Sequence, residues 1–179
     1  MPKNKTLITW VGGKYHMLKH IIPLIPQHIT YVEVFGGGAS LLLNKRKSKI
    51  EVYNDLNSGL VNLFRVVRDK DKYLELQKLL LLTPYSREEY YRYRDTVEEN
   101  DNDVTKAYKF FIVCRMAFGG IYGSSWGYSV NAHRKSNSMI VNNYLNAIKN
   151  LPEFHSRLIG VQVENNDWRK ILDVYDTEN

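Results

Sequence analysis

The sequence lacks several features, and each absence narrows the class of protein. Only one of its 179 residues is cysteine, which excludes an internal disulfide and a cysteine-based zinc site. No run of 18 apolar residues occurs, which excludes a membrane-spanning helix of ordinary length. No long apolar stretch follows the lysines near the N-terminus, so a secretory signal is not expected. These absences predict a soluble protein of a reducing compartment, with one domain or one domain that carries an insertion.

Acidic residues are missing from two long stretches. Residues 1–49 contain eight Lys and Arg and a single acid, Glu33, while residues 104–152 contain six Lys and Arg and no acid. The second stretch is also rich in aromatic residues, and positive charge between aromatic rings is typical of a surface that binds nucleic acid.

The aromatic residues of that stretch fall into two groups. The helical spacing of Tyr108, Phe111 and Phe118 predicts that these three face a core. Tyr122, Trp126 and Tyr128 instead lie in a loop rich in glycine and serine, where we expect contact with DNA.

The most informative motif begins with a strand-like run at residues 31–35 and continues into three glycines, Gly36 to Gly38. A helix-like segment follows, and Asp55 ends a second strand-like run nineteen positions after Gly36. In a nucleotide-binding βαβ unit, such glycines let the backbone approach the ligand, and an acid about 20 residues further on binds the ribose hydroxyls. The motif therefore predicts a site for an adenosine-containing cofactor.

Two charged residues bear on which cofactor this is. Glu33 lies in the first strand, where a carboxylate could meet a cationic group such as the sulfonium of S-adenosylmethionine. Lys14 ends the run Trp-Val-Gly-Gly-Lys, which is not a phosphate-binding Walker A loop because its first glycine is missing and Tyr15 follows the lysine. Lys14 could instead neutralise the carboxylate of a methionine tail.

Three ordered blocks resemble the DNA adenine-N6 methyltransferase family of the DNA adenine methylase type: residues 10–14, residues 33–38 and residues 54–57. The resemblance covers essentially the whole chain, with a weaker match at residues 163–167. It implies that S-adenosylmethionine is the cofactor, that S-adenosylhomocysteine is the product and that no metal is needed. The cofactor contacts implied in this way are Trp10, Gly12, Gly13, Lys14, Glu33, Phe35, Gly36, Gly38, Asp55 and Asp167.

Residues 115–120 and 126–129 resemble the DNA-recognition part of some phage-type members of that family. The resemblance implies methyl transfer to N6 of a flipped-out adenine in double-stranded DNA, by a cytoplasmic enzyme of a prokaryote or phage, as in DNA methylation and restriction–modification. The candidate DNA contacts are Arg115, Tyr122, Trp126, Tyr128, Arg134 and Lys135.

The family's catalytic Asp-Pro-Pro-Tyr motif is absent, since no two of the five prolines are adjacent. By family order it would follow shortly after Asp167. We therefore expect a truncated chain with no catalytic residue of its own, inactive by itself. The alternatives are a non-catalytic DNA- and cofactor-binding remnant or split-enzyme subunit and, less strongly indicated, an NAD-dependent oxidoreductase domain.

The predicted fold class is α/β: a Rossmann-like sheet of the S-adenosylmethionine-dependent methyltransferase type, incomplete, with an inserted, mainly helical DNA-recognition domain. The predicted domains are a cofactor-binding part at 1–57, a helical target-recognition insertion at 58–150 and a return to the α/β domain at 151–179. Strands are predicted at 31–35, 50–53 and 157–164, and helices at 15–25, 39–45, 60–82 (broken at 69–72), after a Ser86 capping box, after an Asp103 cap and at 142–150. An incomplete sheet exposes an edge, which allows dimerisation.

Overall fold

The computed structural model describes residues 6–96, 100–131, 133–134 and 137–176. In this part of the chain, no helix has both the length and the apolar character needed to cross a membrane.

The N-terminal third forms a βαβ unit preceded by a short helical segment. The helix predicted at 15–25 is present as three pieces, and Pro23, which has no N–H to donate, lies in the last of them. The elements in order are a 3₁₀ turn at Lys14–Met17, α1 at Leu18–Ile21, a second 3₁₀ turn at Ile22–Leu24, strand β1 at Thr30–Glu33, α2 at Ser40–Asn44 and strand β2 at Ile50–Asn54.

Four helices follow β2: α3 at Ser58–Arg68, α4 at Lys70–Leu82, α5 at Arg87–Arg94 and α6 at Asp103–Met116. The predicted break is confirmed, because the Asp69 carboxylate accepts from the backbone N–H groups of the next helix and caps it. Ser86 caps α5 as predicted. The predicted Asp103 cap is wrong by one residue: Asn102 accepts from the N–H of Thr105, and Asp103 is already helical.

The chain then forms a 3₁₀ turn at Phe118–Gly120, a loop, the two-residue strands β3 at His133–Arg134 and β4 at Asn137–Ser138, and helices α7 at Met139–Lys149 and α8 at Leu151–Leu158. Strand β5 at Val161–Glu164 and helix α9 at Trp168–Tyr175 complete it. The strand predicted from residue 157 starts later than expected. Pro152 opens a further helix, as its fixed φ favours, and Gly160, with φ +84°, separates that helix from β5.

The main sheet has the order β1-β2-β5, and both pairs are parallel. Glu33 lies opposite Tyr53, and Asn54 lies opposite Glu164, so the carboxyl ends of all three strands meet at one edge. In parallel α/β sheets this is the edge where ligands bind. Among the described residues, six α-helices, α3 to α8, lie between β2 and its neighbour β5 in the sequence. The described residues nevertheless share one buried core, which runs from Leu7 through Phe64 and Phe111 to Val161.

Candidate cofactor pocket and nucleic-acid interface

The glycine turn after β1 folds tightly over the end of β2. The N–H of Gly36 donates to the carbonyl of Asn54 at 2.8 Å, and the hydroxyl of Tyr53 donates to the carbonyl of Gly37 at 2.8 Å. A Cβ on Gly36 would lie 2.2 Å from a carbon of the Tyr53 ring, so no larger residue fits without displacing that ring. Ala39, with φ +52°, then turns the chain into α2 in a conformation that residues with a side chain seldom adopt.

Asp55 holds this turn as well as facing the pocket beneath it. One carboxylate oxygen accepts from the N–H of Gly37 at 2.7 Å, and the other accepts from the N–H of Asn57 at 2.8 Å. A carboxylate has room for about four acceptor contacts, so both oxygens can still receive hydroxyl donors. The side chain is half-buried.

Glu33 is the buried charge of the site. Its side chain is 6% exposed, and one carboxylate oxygen accepts from the N–H of Leu42 at 2.9 Å. Burial raises the pKa of Glu33 to about 7, and the weaker effects of that hydrogen bond and of the Lys14, Lys45 and Arg157 charges only partly oppose the rise. A cation arriving next to this carboxylate would favour its ionised form.

These groups surround a cavity of about 240 Å³. The segment from Trp10 to Lys14 forms its other wall, through a turn in which the N–H of Gly13 donates to the carbonyl of Trp10 at 3.0 Å. Nine of the ten residues predicted as cofactor contacts line this cavity: Trp10, Gly12, Gly13, Lys14, Glu33, Phe35, Gly36, Gly38 and Asp55. Val11, Gly37 and Ser40 line it too. Val11 lies within the block at residues 10–14 and Gly37 within the run of glycines, whereas nothing in the sequence singled out Ser40.

Asp167 is the tenth predicted contact, and it does not line this cavity. Its carboxylate accepts from the N–H of Arg169 at 2.9 Å and so caps α9. The loop before it is tied to the end of β2, since the amide of Asn165 donates to the carbonyl of Asp55 at 2.8 Å.

A second cavity, of about 830 Å³, adjoins the first. Trp10, Gly13, Gly38 and Ser40 line both, so they form the shared wall. The far side of the larger cavity is formed by the end of α6, the following glycine-rich loop and one face of α7.

Arg115 lines the larger cavity, and two of its three guanidinium nitrogens, Nε and Nη2, donate to backbone carbonyls. Its guanidinium donates to the carbonyls of Thr6 and Leu7, and burial lowers its pKa to about 10. These bonds anchor the N-terminal segment on α6, and the contact of Arg115 with DNA stays a prediction.

The loop aromatics stand in two groups. The ring of Tyr122 packs against Phe110 at 5.1 Å and against Trp10 at 6.3 Å, and it is 46% exposed. The rings of Trp126 and Tyr128 stack at 5.8 Å with 15° between their planes. One loop ring, Tyr122, therefore lies beside Trp10 in the shared wall of the two cavities, and the other two, Trp126 and Tyr128, form a separate pair.

Three further predictions concern this region. The expectation that Phe118 faces a core is wrong, because α6 ends before it and the ring is 61% exposed. Arg134 lies on β3, and Lys135 falls outside the described residues.

In the part of the chain that the structure describes, no cluster of three or more His, Cys, Asp and Glu could hold a metal ion.

Comparison with known proteins gives a consistent result. A family model for D12 class N6 adenine-specific DNA methyltransferases matches residues 10–179. The DNA adenine methylase of Escherichia coli K12 is 29% identical over 123 residues, which are 68% of this chain and 44% of the relative. The type II methyltransferase M1.LlaDCHI of Lactococcus lactis subsp. cremoris is 29% identical over 174 residues, which are 91% of this chain and 58% of the relative. The chain spans about half the length of these curated relatives.

Proposed function

The chain belongs to the D12 class N6 adenine-specific DNA methyltransferase family, and from this membership we propose that it binds S-adenosylmethionine and double-stranded DNA for methylation of adenine at N6. The observation that carries the proposal is the pair of carboxylates, Glu33 and Asp55, beside a glycine turn at the carboxyl edge of a parallel sheet. Cofactors of this shape bind at that edge in α/β folds.

The pocket residues fit the groups of S-adenosylmethionine. Asp55 accepts hydrogen bonds from the ribose hydroxyls. Glu33 faces the cationic sulfonium side of the methionine portion, and Lys14 neutralises the carboxylate of that methionine portion. The bound cofactor supplies an electrophilic methyl group. The protein's part is to align that methyl group with the attacking nitrogen and to exclude water, and alignment of bound reactants is worth several kcal/mol of barrier in general.

The larger cavity supplies a place for the target base. A base inside a duplex cannot reach a buried cofactor, so enzymes that modify bases flip them out of the stack. Because Trp10 and Gly38 line both cavities, a base held in the larger one lies next to the cofactor. The Asp-Pro-Pro-Tyr motif of the family does not occur in this sequence, so we assign no catalytic residue here.

Calorimetry with S-adenosylmethionine and S-adenosylhomocysteine tests the cofactor half of the proposal. We expect Asp55→Ala to weaken binding by about 1.5–3 kcal/mol, or roughly 10- to 150-fold, because it removes a charged hydrogen bond to the ribose. Asp55→Asn tests the charge while keeping an acceptor for the Gly37 N–H. Asp173→Ala, at an exposed position of α9, is the matched control.

Equal affinities in the parent chain and the Asp55 variants would contradict the assignment of Asp55. Binding of NADH together with no binding of either S-adenosyl compound would contradict the cofactor itself.

The DNA half is tested by salt dependence. Affinity for duplex DNA should fall steeply with salt, and removal of Arg134 and Lys135 together should flatten the slope of log K against log salt by roughly 0.9 per lost phosphate contact. Salt-independent affinity would contradict this half.

Self-association is a further part of the proposal. Strands β1 and β5 are the outer strands of the described sheet, and an outer strand can pair with a second chain through its backbone. Sedimentation over a range of protein concentrations should then detect a dimer, whereas a monomer at all concentrations would contradict it.

A further inference from the structure

Helix α5 reaches the loop aromatics with a residue that sequence patterns gave no reason to choose. Arg87, the first residue of α5, has its guanidinium carbon 4.9 Å from the centre of the Trp126 ring and 5.9 Å from that of Tyr128. About 40 positions separate it from these rings in the sequence. The three side chains form one stack, which we call the Arg87 stack.

The platform under Arg87 is anchored from both sides. The N–H of Gly127 donates to the carbonyl of Met116 at 2.7 Å, which attaches the loop to the end of α6. The hydroxyl of Tyr85 donates to the carbonyl of Gly127 at 2.8 Å, and that of Tyr90 donates to the carbonyl of Ser124 at 2.5 Å. The ring positions are therefore fixed by backbone contacts that do not involve Arg87.

Trp126 is not held there by its own hydrogen bond. Its indole N–H is buried and has no acceptor within the described residues, which is an unfavourable state for a polar group. Among aromatic side chains, the indole ring attracts a cation to its face most strongly. The backbone contacts of the loop hold the indole here, and the Arg87 guanidinium carbon lies over its ring.

Within the described residues, no hydrogen bond or ion pair is recorded for the Arg87 guanidinium. Arg87 is exposed, and among the described residues its recorded interactions are the two ring contacts, with no carboxylate partner. Other arginines of α5 are engaged: Arg94 forms an ion pair with Asp95 at 2.6 Å, and Arg92 lies 3.9 Å from Glu89. A guanidinium that lies over aromatic rings keeps its charge and its fork of N–H donors, and that fork suits a phosphate.

We infer that Arg87 is a phosphate contact of the DNA-binding surface, held in orientation by Trp126 and Tyr128. This rests on the proposed function, since it assumes that the loop aromatics face DNA. It extends that surface beyond residues 104–152 to the start of α5. It also gives Trp126 and Tyr128 a second role, which is to position a cation as well as to offer faces to bases.

The test is anisotropy of a fluorescently labelled 20-base-pair duplex, titrated with the full chain at several salt concentrations. Arg87→Ala should weaken binding several-fold at low salt and lower the salt slope by roughly 0.9, the value for one phosphate contact. Arg87→Lys should restore the slope, since it keeps the charge, but not the full affinity. Arg92→Ala is the matched control: it removes the same charge from the same helix, and its slope should equal that of the parent chain.

A purely structural role for Arg87 would lower the melting temperature and leave the salt slope unchanged, and that result would overturn the inference. If the parent chain shows no salt-dependent binding, the DNA surface and this contact both fail, while cofactor binding by calorimetry would still stand. An unchanged slope in Arg87→Ala with normal DNA binding overturns the Arg87 contact alone.

Discussion

The three-stranded sheet has a buried glutamate at each end, and the surroundings of the two shift their pKa values in opposite directions. At the amino end, Glu51 on β2 is 2% exposed and is surrounded by donors. Lys45 lies 2.7 Å from one carboxylate oxygen, and Arg157 of α8 reaches both oxygens, at 2.5 and 2.8 Å. Burial by itself would raise the pKa of Glu51, but the hydrogen bonds from Arg157, Lys45 and the Ser48 N–H hold it below its usual range.

At the carboxyl end, Glu33 is buried to a similar degree, but it accepts far fewer hydrogen bonds and forms no recorded ion pair within the described residues. A backbone N–H is its only recorded hydrogen-bond donor in the described part of the chain, and its pKa is raised to about 7. Glu51, which joins α2, β2 and α8, is therefore fully supplied with hydrogen-bond donors. Glu33, at the edge where a cavity opens, has few donors. Perturbed groups of this kind are common at functional sites.

The largest expected effect is at the satisfied end. Glu51→Gln should lower the free energy of unfolding by about 3–5 kcal/mol at neutral pH, because it leaves Lys45 and Arg157 buried without their counter-charge. Urea unfolding measures this, with Glu75→Gln, an exposed position of α4, as control.

The pH dependence gives the Glu51 prediction a sign. Since the pKa of Glu51 is lowered on folding, its stabilisation is present above the ordinary value of 4.5 and is lost as the pH falls through the folded value. The difference between parent and variant should shrink in acid. A variant as stable as the parent at neutral pH would contradict the assigned role.

The second largest effect is expected at Glu33, where substitution should raise the free energy of unfolding and not lower it. The folded pKa of Glu33 lies above its unfolded value, so the folded state binds the proton more tightly, and stability falls as the pH rises from about 4.5 to about 7. Glu33→Gln removes that loss and keeps an acceptor for the Leu42 N–H. The variant should be more stable than the parent by about 2–3 kcal/mol at pH 8, and nearly equal to it below pH 4.5.

Thermal or urea unfolding across this pH range checks the prediction, and S-adenosylmethionine affinity should fall in the same variant. A variant that is less stable than the parent at pH 8 would show that Glu33 serves the fold and not the ligand.

Local rules sufficed for much of the fold and for most of the pocket. The break at Asp69 and the Ser86 cap depend on side-chain oxygens that act within a few residues, and the glycine turn with its following acid is a local signature too. Most residues that line the 240 Å³ cavity were therefore predictable from short stretches. The strand predicted from residue 157 failed at its start because Arg157 and Leu158 are the last residues of α8, and so short a stretch has no periodicity that separates a helix end from a strand start.

Long-range partners could not be predicted. The carbonyls that engage Arg115 belong to Thr6 and Leu7, more than 100 positions away, so its burial has no local signal. The Arg87 stack depends in the same way on α5 meeting a loop from another part of the chain. For Asp55, the sequence indicated a ligand contact but not its second task of holding the Gly37 N–H.

The smallest expected effect separates two acids at the carboxyl edge. Asp55 faces the cavity, whereas Asp167 follows β5 and caps α9. Asp167→Ala should lower the free energy of unfolding by about 1 kcal/mol, the usual cost of a lost helix cap, and should leave S-adenosylmethionine affinity unchanged. Asp167→Asn should restore the cap, since asparagine serves equally well there. Calorimetry and urea unfolding on the same samples decide the matter: an affinity loss in both Asp167 variants, comparable to that of Asp55→Ala, would mean that the cofactor reaches beyond the 240 Å³ cavity to the end of β5.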